Sequence, residues 1–294
     1  MNGVVLIDKP SGCTSHDVVN RWRKLAGTKR AGHLGTLDPM ARGLLVLVTG
    51  TATRLAQYFD KAKKTYIAEI LLGSVSNTYD ADGETEPSGI APPADASVIV
   101  DALDAFRGTF LQVPPPVSAK KVAGVRAYKL ARQNVQVALK PVEVNISDLD
   151  VLDVNPPKVS IRVTCSAGTY IRSLAHDLGQ RLGCGGLLAA LRRTGVGHFN
   201  VADSRTLDEL ADLASAGRIS EAILSSSSLL PTMPSQYVDM VTESQIRQGR
   251  EFRTSPFVVE PGAPMVKALS QTSGELIAIG ELKLPNVYHP TTVV

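Results

Sequence analysis

Alternating or continuous apolar stretches along the 294-residue chain predict β-strands in both halves of the sequence. The clearest is residues 159–165, where Val, Ile, Val and Cys alternate with Ser, Arg and Thr. That period of two is typical of a strand with one face buried. Further strands are predicted at residues 4–7, 44–48, 65–72, 264–269 and 276–282.

Apolar side chains at helical spacing predict helices between these strands. The first is expected to start with Thr14 or Ser15 as its N-cap and to turn Trp22 towards the core. Another opens at Gly168, and its apolar residues share one face (Ile171, Leu174, Ala175 and Leu178). Further helices are predicted at residues 97–106, 128–132, 187–193, 207–214 and 243–248.

Turn-forming and polar stretches divide the chain. Residues 32–43 contain three glycines and a proline and are expected to be a loop, whereas residues 77–93 are acidic and are expected to be exposed. The residues Ser225, Ser226, Ser227 and Ser228 are followed by two prolines, which indicates a domain boundary. We therefore predict an α+β domain over residues 1–228, with an inserted basic segment near 110–140, and a small β-rich domain over residues 235–294.

Composition narrows the class of protein. Hydrophobic residues make up 44% of the chain, which supports a folded core, and no apolar run reaches the roughly 18–20 residues that span a bilayer. The N-terminus lacks the basic and long apolar regions of a signal peptide. The cysteines, Cys13, Cys165 and Cys184, have no metal-ligand spacing and are expected to be reduced thiols. We expect a cytoplasmic protein without membrane contact or metal.

The net charge of +3 hides a strongly uneven distribution. Residues 1–64 contain 11 Lys/Arg and 4 Asp/Glu, whereas residues 65–118 contain 1 and 8. Residues 119–140 contain 6 and 0, and residues 162–200 contain 5 and 1. These basic blocks would fit one positive face for a polyanion such as a nucleic acid, although alternating charge can also simply solvate a surface.

Three short segments carry candidate chemistry. Asp38 precedes Pro39 in the glycine-rich loop, where it could act as a nucleophile or base, or merely cap a turn. Arg172 lies in the first turn of the helix after Gly168, where it favours an anion, although this segment alone is more typical of a surface arginine on an amphipathic helix. Tyr66 enters a predicted strand and on its own indicates packing. Neighbouring Ser15, His16 and Asp17 cannot form a triad on one helical turn.

Taken together, these segments resemble the bacterial TruB family, the tRNA pseudouridine synthases that modify uridine 55 in the T arm. The likeness covers nearly all of the first 200 residues, and its separate motifs occur in the same order. They are Lys9-Pro10-x-Gly12-x-Thr14-Ser15, Gly32-His33-x-Gly35-Thr36-Leu37-Asp38-Pro39, Lys64-x-Tyr66, Pro115-Pro116-x-Ser118-Ala119, Gly124-x-Arg126-x-Tyr128, Gly168-Thr169-Tyr170-Ile171-Arg172-Ser173-Leu174 and Leu191-Arg192-Arg193.

The resemblance implies roles for six residues. Asp38 matches the catalytic aspartate, Arg172 its arginine partner, and Tyr66 the residue that stacks on the flipped base and helps remove the C5 proton. Tyr170 and Leu191 match residues that line the uracil pocket. His33 matches a histidine that packs into the T loop in place of the flipped nucleotide.

The resemblance also implies the architecture and the partners. The expected fold is a mixed, largely antiparallel sheet flanked by helices, followed by a PUA-like RNA-binding domain. The expected substrate is tRNA, no cofactor is required, and the enzyme is expected to be a monomer without an obligate protein partner. A tRNA-binding chaperone without catalysis and a hydrolase with an aspartate nucleophile remain alternatives. The combination of Asp38, Tyr66 and Arg172 disfavours the first, and the lack of a second nearby carboxylate disfavours the second.

Overall fold

A computed structural model describes residues 1–117, 121–122, 125–126 and 139–294. The helix predicted at residues 128–132 lies outside this part of the chain. Within it, the predicted α+β class is confirmed. The α-helices are α1 (Ser15–Leu25), α2 (Ala96–Asp104), α3 (Ile171–Arg181), α4 (Leu207–Ser215) and α5 (Met240–Arg247).

A large mixed sheet forms the centre of the molecule. Its strands are β1 (Gly3–Lys9), β2 (Ala31–His33), β3 (Arg42–Thr49), β4 (Lys64–Leu72), β7 (Gly108–Gln112), β10 (Val142–Asn155), β11 (Lys158–Cys165), β12 (Gly186–Val196) and β13 (Phe199–Asn200). The order is β1-β3-β12-β4-β11-β10-β7, with β2 beside β3 and β13 beside β12. Among the described strands of this large sheet, only the β3–β12 pairing is parallel, which agrees with the prediction of a largely antiparallel sheet.

A second sheet follows towards the C-terminus. It contains β14 (Ser235–Val238), β15 (Phe252–Arg253), β16 (Met265–Ser270), β17 (Leu276–Leu284) and β18 (Val287–Val293), in the order β14-β16-β17-β18-β15. Two short ribbons complete the strands, β5 (Ser74–Ser76) with β6 (Thr85–Pro87), and β8 (Lys121–Val122) with β9 (Val125–Arg126). A 3₁₀ helix, Gly50–Phe59, follows β3.

Both faces of the large sheet are buried around β1 and β3, and β1 shows why its sequence is continuously apolar. Val5 and Ile7 pack into the core under α1 and α3, whereas Val4 and Leu6 pack into a core on the opposite face. That second core also contains Ala52, Leu55 and Phe59 from the 3₁₀ helix, and Leu269, Leu276 and Ile279 from the second sheet. The 3₁₀ helix and the second sheet therefore pack together on the face of β1 and β3 that lies opposite the α-helices.

At the start of α1, the adjacent hydroxyl groups of Thr14 and Ser15 have different roles. Thr14 Oγ1 accepts from the backbone N–H of Asp17, and the Asp17 carboxylate accepts from the backbone N–H of Thr14 at 2.9 Å. This capping box settles the N-cap as Thr14 and places Asp17 in a structural role. Ser15 is then buried and is free to contact another segment.

The prediction of a helix at residues 187–193 is wrong, because this segment lies within strand β12. β12 pairs with β4 from Gly186 to Val196, with register irregularities between Leu188 and Ala190 and between Arg193 and Gly195. These bulges interrupt the period of two, so the leucines fall at a spacing that mimics a helix. Pairing with a central strand outweighs the helix propensity of Leu and Ala.

The structure also differs from the predictions in several strands, in one turn and in the acidic stretch. Strands β7, β10, β14, β15 and β18 were not predicted, and β2 lies inside the segment expected to be a loop. The glycines at positions 183 and 185 lie in the turn between α3 and β12, and Gly186 is the first residue of β12. In the acidic stretch 77–93 most residues are exposed or half-buried as expected, but Asp80 is buried.

Candidate active site

The loop between β2 and β3 carries Asp38, and buried cations hold its backbone. Lys9 Nζ donates to the carbonyl oxygens of Pro39 at 3.2 Å and Ala41 at 2.7 Å. Arg193 donates to the carbonyls of Gly35 at 3.0 Å and Thr36 at 3.3 Å. Because each cation satisfies loop carbonyls on one side of Asp38, the backbone around the carboxylate is fixed.

Two further contacts tighten the same loop. Ser15 Oγ donates to the Leu37 carbonyl at 3.0 Å and accepts from the Leu37 N–H at 2.8 Å. At the loop's end, Gly43 has φ +104°, and a Cβ there would lie 2.3 Å from the carbonyl oxygen of Arg193. Glycine is therefore required where β3 approaches β12, which brings Arg193 beneath the loop.

Arg172, at the start of α3, joins two carboxylates. Its Nε lies 3.0 Å from Asp38 Oδ2, its Nη2 donates to Asp38 Oδ1 at 3.3 Å, and its Nη1 lies 3.4 Å from Asp80 Oδ2. The Arg172 and Asp80 side chains are 6% and 5% exposed, whereas that of Asp38 is 36% exposed. Asp38 is thus the one member of this triad that presents its carboxylate to solvent.

Backbone carbonyls complete the surroundings of the guanidinium. Arg172 also donates to the carbonyl oxygens of Thr78 at 3.2 Å and Val117 at 3.0 Å. Asp80 in turn accepts from Thr78 Oγ1 at 2.6 Å and from the N–H of Asp82 at 3.1 Å. Both buried charges are therefore paired and hydrogen-bonded, as such groups must be.

Burial raises the pKa of the Asp38 carboxyl above its ordinary value of 3.8. The Arg172 guanidinium opposes this effect, and the negative charge of Asp80 adds to it. Desolvation outweighs the arginine, so the net direction of the pKa shift is upward. A partly desolvated carboxylate is a stronger base than one in water, which suits a catalytic group.

A cavity of about 340 Å³ opens beside Asp38 and gathers five of the six predicted site residues. Tyr66 of β4 is buried in its wall, and burial raises the pKa of its phenol, so the hydroxyl is protonated at neutral pH. Leu191 of β12 is also buried there. The sequence-predicted residues that line the cavity are Asp38, Tyr66, Tyr170, Arg172 and Leu191.

His33 lies apart from this cavity, on β2 at the start of the same loop. Its ring is half-buried, and its Nδ1 is shielded from solvent without a hydrogen-bond partner in the described part of the chain. Burial lowers the pKa of the imidazole, and the nearby Arg193 lowers it further. His33 is therefore neutral at neutral pH in this structure.

Sequence reasoning missed three side chains that shape the site. Asp80 is a second carboxylate near Asp38, so the expectation that none lies nearby is wrong, although Arg172 pairs with both. Asp80 stands in an acidic stretch, and nothing in its local pattern separates it from its exposed neighbour Asp82. Lys64 lines the cavity, and burial lowers the pKa of its ammonium group. Gln112 is fully buried on the unpredicted strand β7, where its amide accepts from the Tyr170 N–H at 2.9 Å and donates to the Tyr170 carbonyl at 3.0 Å. Among these three side chains, the sequence indicated only Lys64, through the Lys64-x-Tyr66 motif.

The described ranges contain neither a metal-binding cluster nor a membrane-spanning helix. There, no three His, Cys, Asp or Glu side chains come close enough together to hold a metal ion. In the same residues, no helix has the length and apolarity needed to cross a bilayer. Cys165 and Cys184 are buried and Cys13 is half-buried, all as free cysteines.

Comparison with known proteins identifies the class. Residues 23–171 match the family described as TruB family pseudouridylate synthase (N terminal domain), and residues 172–232 match the tRNA pseudouridylate synthase B C-terminal domain. The chain is 49% identical over 294 residues to tRNA pseudouridine synthase B of Solibacter usitatus, covering all of both chains. It is 41% identical to that of Paenarthrobacter aurescens, covering 95% of this chain and 91% of the relative.

Solved structures share the fold. A chain of an H/ACA RNP bound to a substrate RNA containing 2′-deoxyuridine superposes with a TM-score of 0.73 at 24% identity, covering 99% of this chain and 84% of that one. A chain of a Cbf5-Nop10-Gar1 complex gives a TM-score of 0.72 at 26% identity, with coverages of 98% and 83%. The sequence matches and the shared fold define a pseudouridylate synthase. The chain belongs to the TruB family.

Proposed function

We propose that this synthase isomerises uridine 55 in the T arm of tRNA to pseudouridine and that Asp38 is its catalytic carboxylate. The observation that carries the proposal is the Asp38–Arg172–Asp80 arrangement. Two of its members are buried and hydrogen-bonded, while the third faces a cavity large enough to be a base pocket. The relatives named tRNA pseudouridine synthase B support tRNA as the substrate.

The reaction requires the base to leave the RNA stack, because C1′ and the ring faces are inaccessible within a folded loop. Tyr66 and Leu191 offer a phenol ring and an apolar side chain for the extruded uracil. Aromatic stacking of this kind contributes about 1–3 kcal/mol per base. Tyr170 lines the same pocket, and His33, at the other end of the loop, fills the space that the flipped nucleotide leaves in the T loop.

The chemistry exchanges one glycosidic bond for another within a single nucleotide. The N1–C1′ bond breaks, the uracil rotates, the C5–C1′ bond forms, and the C5 proton is lost as N1 gains one. No redox step or second substrate is involved, so no cofactor is required. Asp38 acts either by adding to C1′ or by removing the C2′ proton to give a glycal. Deuterium at C2′ separates these routes, because only the second breaks that bond.

Tyr66 can receive the C5 proton only if its hydroxyl gives up its own proton. Because burial raises the pKa of its phenol, the hydroxyl is protonated and must lose its own proton as it accepts another. The nearby Arg193 guanidinium lowers the pKa of this phenol, although less than burial raises it. The neighbouring guanidinium would thus favour transient phenolate character.

The remaining assignments follow from the same proposal. Residues 1–228 form the catalytic domain, with the basic segment near 110–140 inserted in it, and residues 235–294 form a PUA-like domain that binds RNA. Lys64 at the cavity provides positive charge for the phosphate backbone, whereas the buried Arg172 and Arg193 are engaged within the protein. We assign the enzyme to the cytoplasm as a monomer that needs no protein partner.

The test is to map pseudouridine in a T-arm stem-loop incubated with the protein. We expect product at uridine 55 alone, and none in a matched stem-loop with cytidine at that position. Binding without product would favour a tRNA-binding chaperone, and product at another uridine would overturn the position assigned here.

A further inference from the structure

An aromatic stack lies next to Asp80, in the turn between β5 and β6. The Tyr79 ring stacks on the His176 ring of α3, with centroids 3.8 Å apart and planes 4° apart. Both side chains are half-buried. The stack therefore joins the residue before Asp80 to the helix that carries Arg172.

The two contacts of this turn with α3 are one helical turn apart. Arg172 and His176 have the i, i+4 spacing that places side chains on the same face. Arg172 binds the Thr78 carbonyl and the Asp80 carboxylate, and His176 stacks on the residue between them. Three consecutive residues of the turn thus contact one face of α3.

The opposite side of the turn is held by β12. The N–H of Leu188 donates to the Tyr79 carbonyl at 3.0 Å, and the N–H of Ala81 donates to the Leu188 carbonyl at 3.0 Å. These bonds fix the backbone on either side of Asp80 relative to β12. The position of Asp80 relative to Arg172 also depends on contacts of the turn with α3, which are the Arg172–Thr78 hydrogen bond and the ring stack.

The unusual backbone conformation of Tyr79 indicates that its contact with His176 is what favours an aromatic residue at this position. Tyr79 has φ 65°, in the left-handed region that bulky side chains disfavour and that glycine and asparagine tolerate. A non-glycine residue there requires a compensating interaction. Burial also lowers the pKa of His176, so a neutral imidazole meets the phenol ring in a flat stack.

We propose that Tyr79 is a positioning residue for the reaction: its stack on His176 holds Asp80 against Arg172 and thereby sets the orientation of the Asp38 carboxylate. The inference rests on the proposed roles of Asp38 and Arg172. Tyr79 does not line the cavity, so it acts only through Asp80.

The test uses Tyr79→Gly, which removes the ring and leaves a residue that favours this backbone conformation. We expect the single-turnover rate to fall about tenfold or more while T-arm RNA affinity changes less than about threefold, since small misplacements of catalytic groups reduce rate strongly. Tyr79→Phe keeps the stack and should restore most of the rate. Tyr79→Asn is a second ring-free variant if the glycine variant fails to fold.

A matched control removes a similar contact elsewhere. His198 packs on Phe199 with centroids 3.9 Å apart and lines no part of the cavity. His198→Ala should leave the rate unchanged, so a loss confined to Tyr79 variants is not a general effect of removing a histidine–aromatic pair.

A double-variant comparison shows whether Tyr79 acts through Asp80. If it does, adding Tyr79→Gly to Asp80→Asn should reduce the rate no further than Asp80→Asn alone. Independent, multiplying losses would overturn the inference, as would a Tyr79→Gly enzyme at the wild-type rate. An active Asp38→Asn enzyme would instead overturn the proposed function, so the two failures are distinguishable.

Discussion

Replacing Arg172 with methionine should destabilise the fold as well as stop the reaction. The Asp80 carboxylate would keep its bonds to Thr78 Oγ1 and the Asp82 N–H but would lose its ion pair with Arg172, in a place where its side chain is 5% exposed. Removing one partner of a buried ion pair costs about 3–5 kcal/mol. Because Asp80 remains hydrogen-bonded, we expect a loss near the lower limit, about 3 kcal/mol.

The assay is urea unfolding followed by intrinsic fluorescence. Trp22 is the single tryptophan of the chain and is fully buried in the core beneath α1, so its emission follows loss of that core. The change in midpoint at constant slope gives the change in the free energy of unfolding.

A second variant separates the buried charge from the lost packing. Arg172→Met combined with Asp80→Asn removes the unpaired carboxylate, so the double variant should recover about 2 kcal/mol relative to the sum of the single losses. Additive losses would refute the reasoning, because they would mean that Arg172 and Asp80 do not interact energetically.

The remaining predictions concern the pocket, the RNA and a helix carboxylate. Tyr66→Phe should keep RNA affinity within about tenfold but slow single turnover much further if the phenol takes the C5 proton; a Phe enzyme at the wild-type rate, with only Tyr66→Ala impaired, would leave Tyr66 as a stacking platform. Log affinity for T-arm RNA should fall steeply with log salt concentration, and a flat response would mean that the basic blocks only solvate the surface. Burial raises the pKa of Asp177 to about 6 from 3.8, so its ionisation penalises the folded state as pH rises through that range. Asp177→Asn should therefore raise the free energy of unfolding by about 1–2 kcal/mol at pH 8 and by about half as much at pH 5, and equal gains at both pH values in urea unfolding would contradict this.

The parts of the fold that sequence predicted best are those in which one local pattern dominates. Residues 159–165 alternate cleanly and form β11, and Thr14 with Asp17 forms the capping box that starts α1. Residues 187–193 failed because their environment decides their structure. β12 is paired on both sides, its bulges displace the alternation, and its leucines mimic a helical face.

The site residues also fall into two groups, those that local motifs predicted and those that only tertiary contacts bring into the site. Asp38, Tyr66 and Arg172 were found through motifs, and the structure brings all three to one cavity. Asp80 was missed because its burial results from the turn after β5 packing against α3 and β12, a contact between segments about 90 residues apart in sequence. Gln112 was missed with its strand, although its amide holds the backbone of Tyr170.

We propose above all that the exposed carboxylate of Asp38 performs the chemistry. The most direct measurement is single-turnover pseudouridine formation by Asp38→Asn on T-arm RNA, with affinity determined on the same RNA. Asparagine keeps the size and the hydrogen bonding of the side chain but removes the charge. We predict no product above a no-enzyme control and an affinity within about threefold of wild type. Measurable turnover by the purified variant would contradict the account.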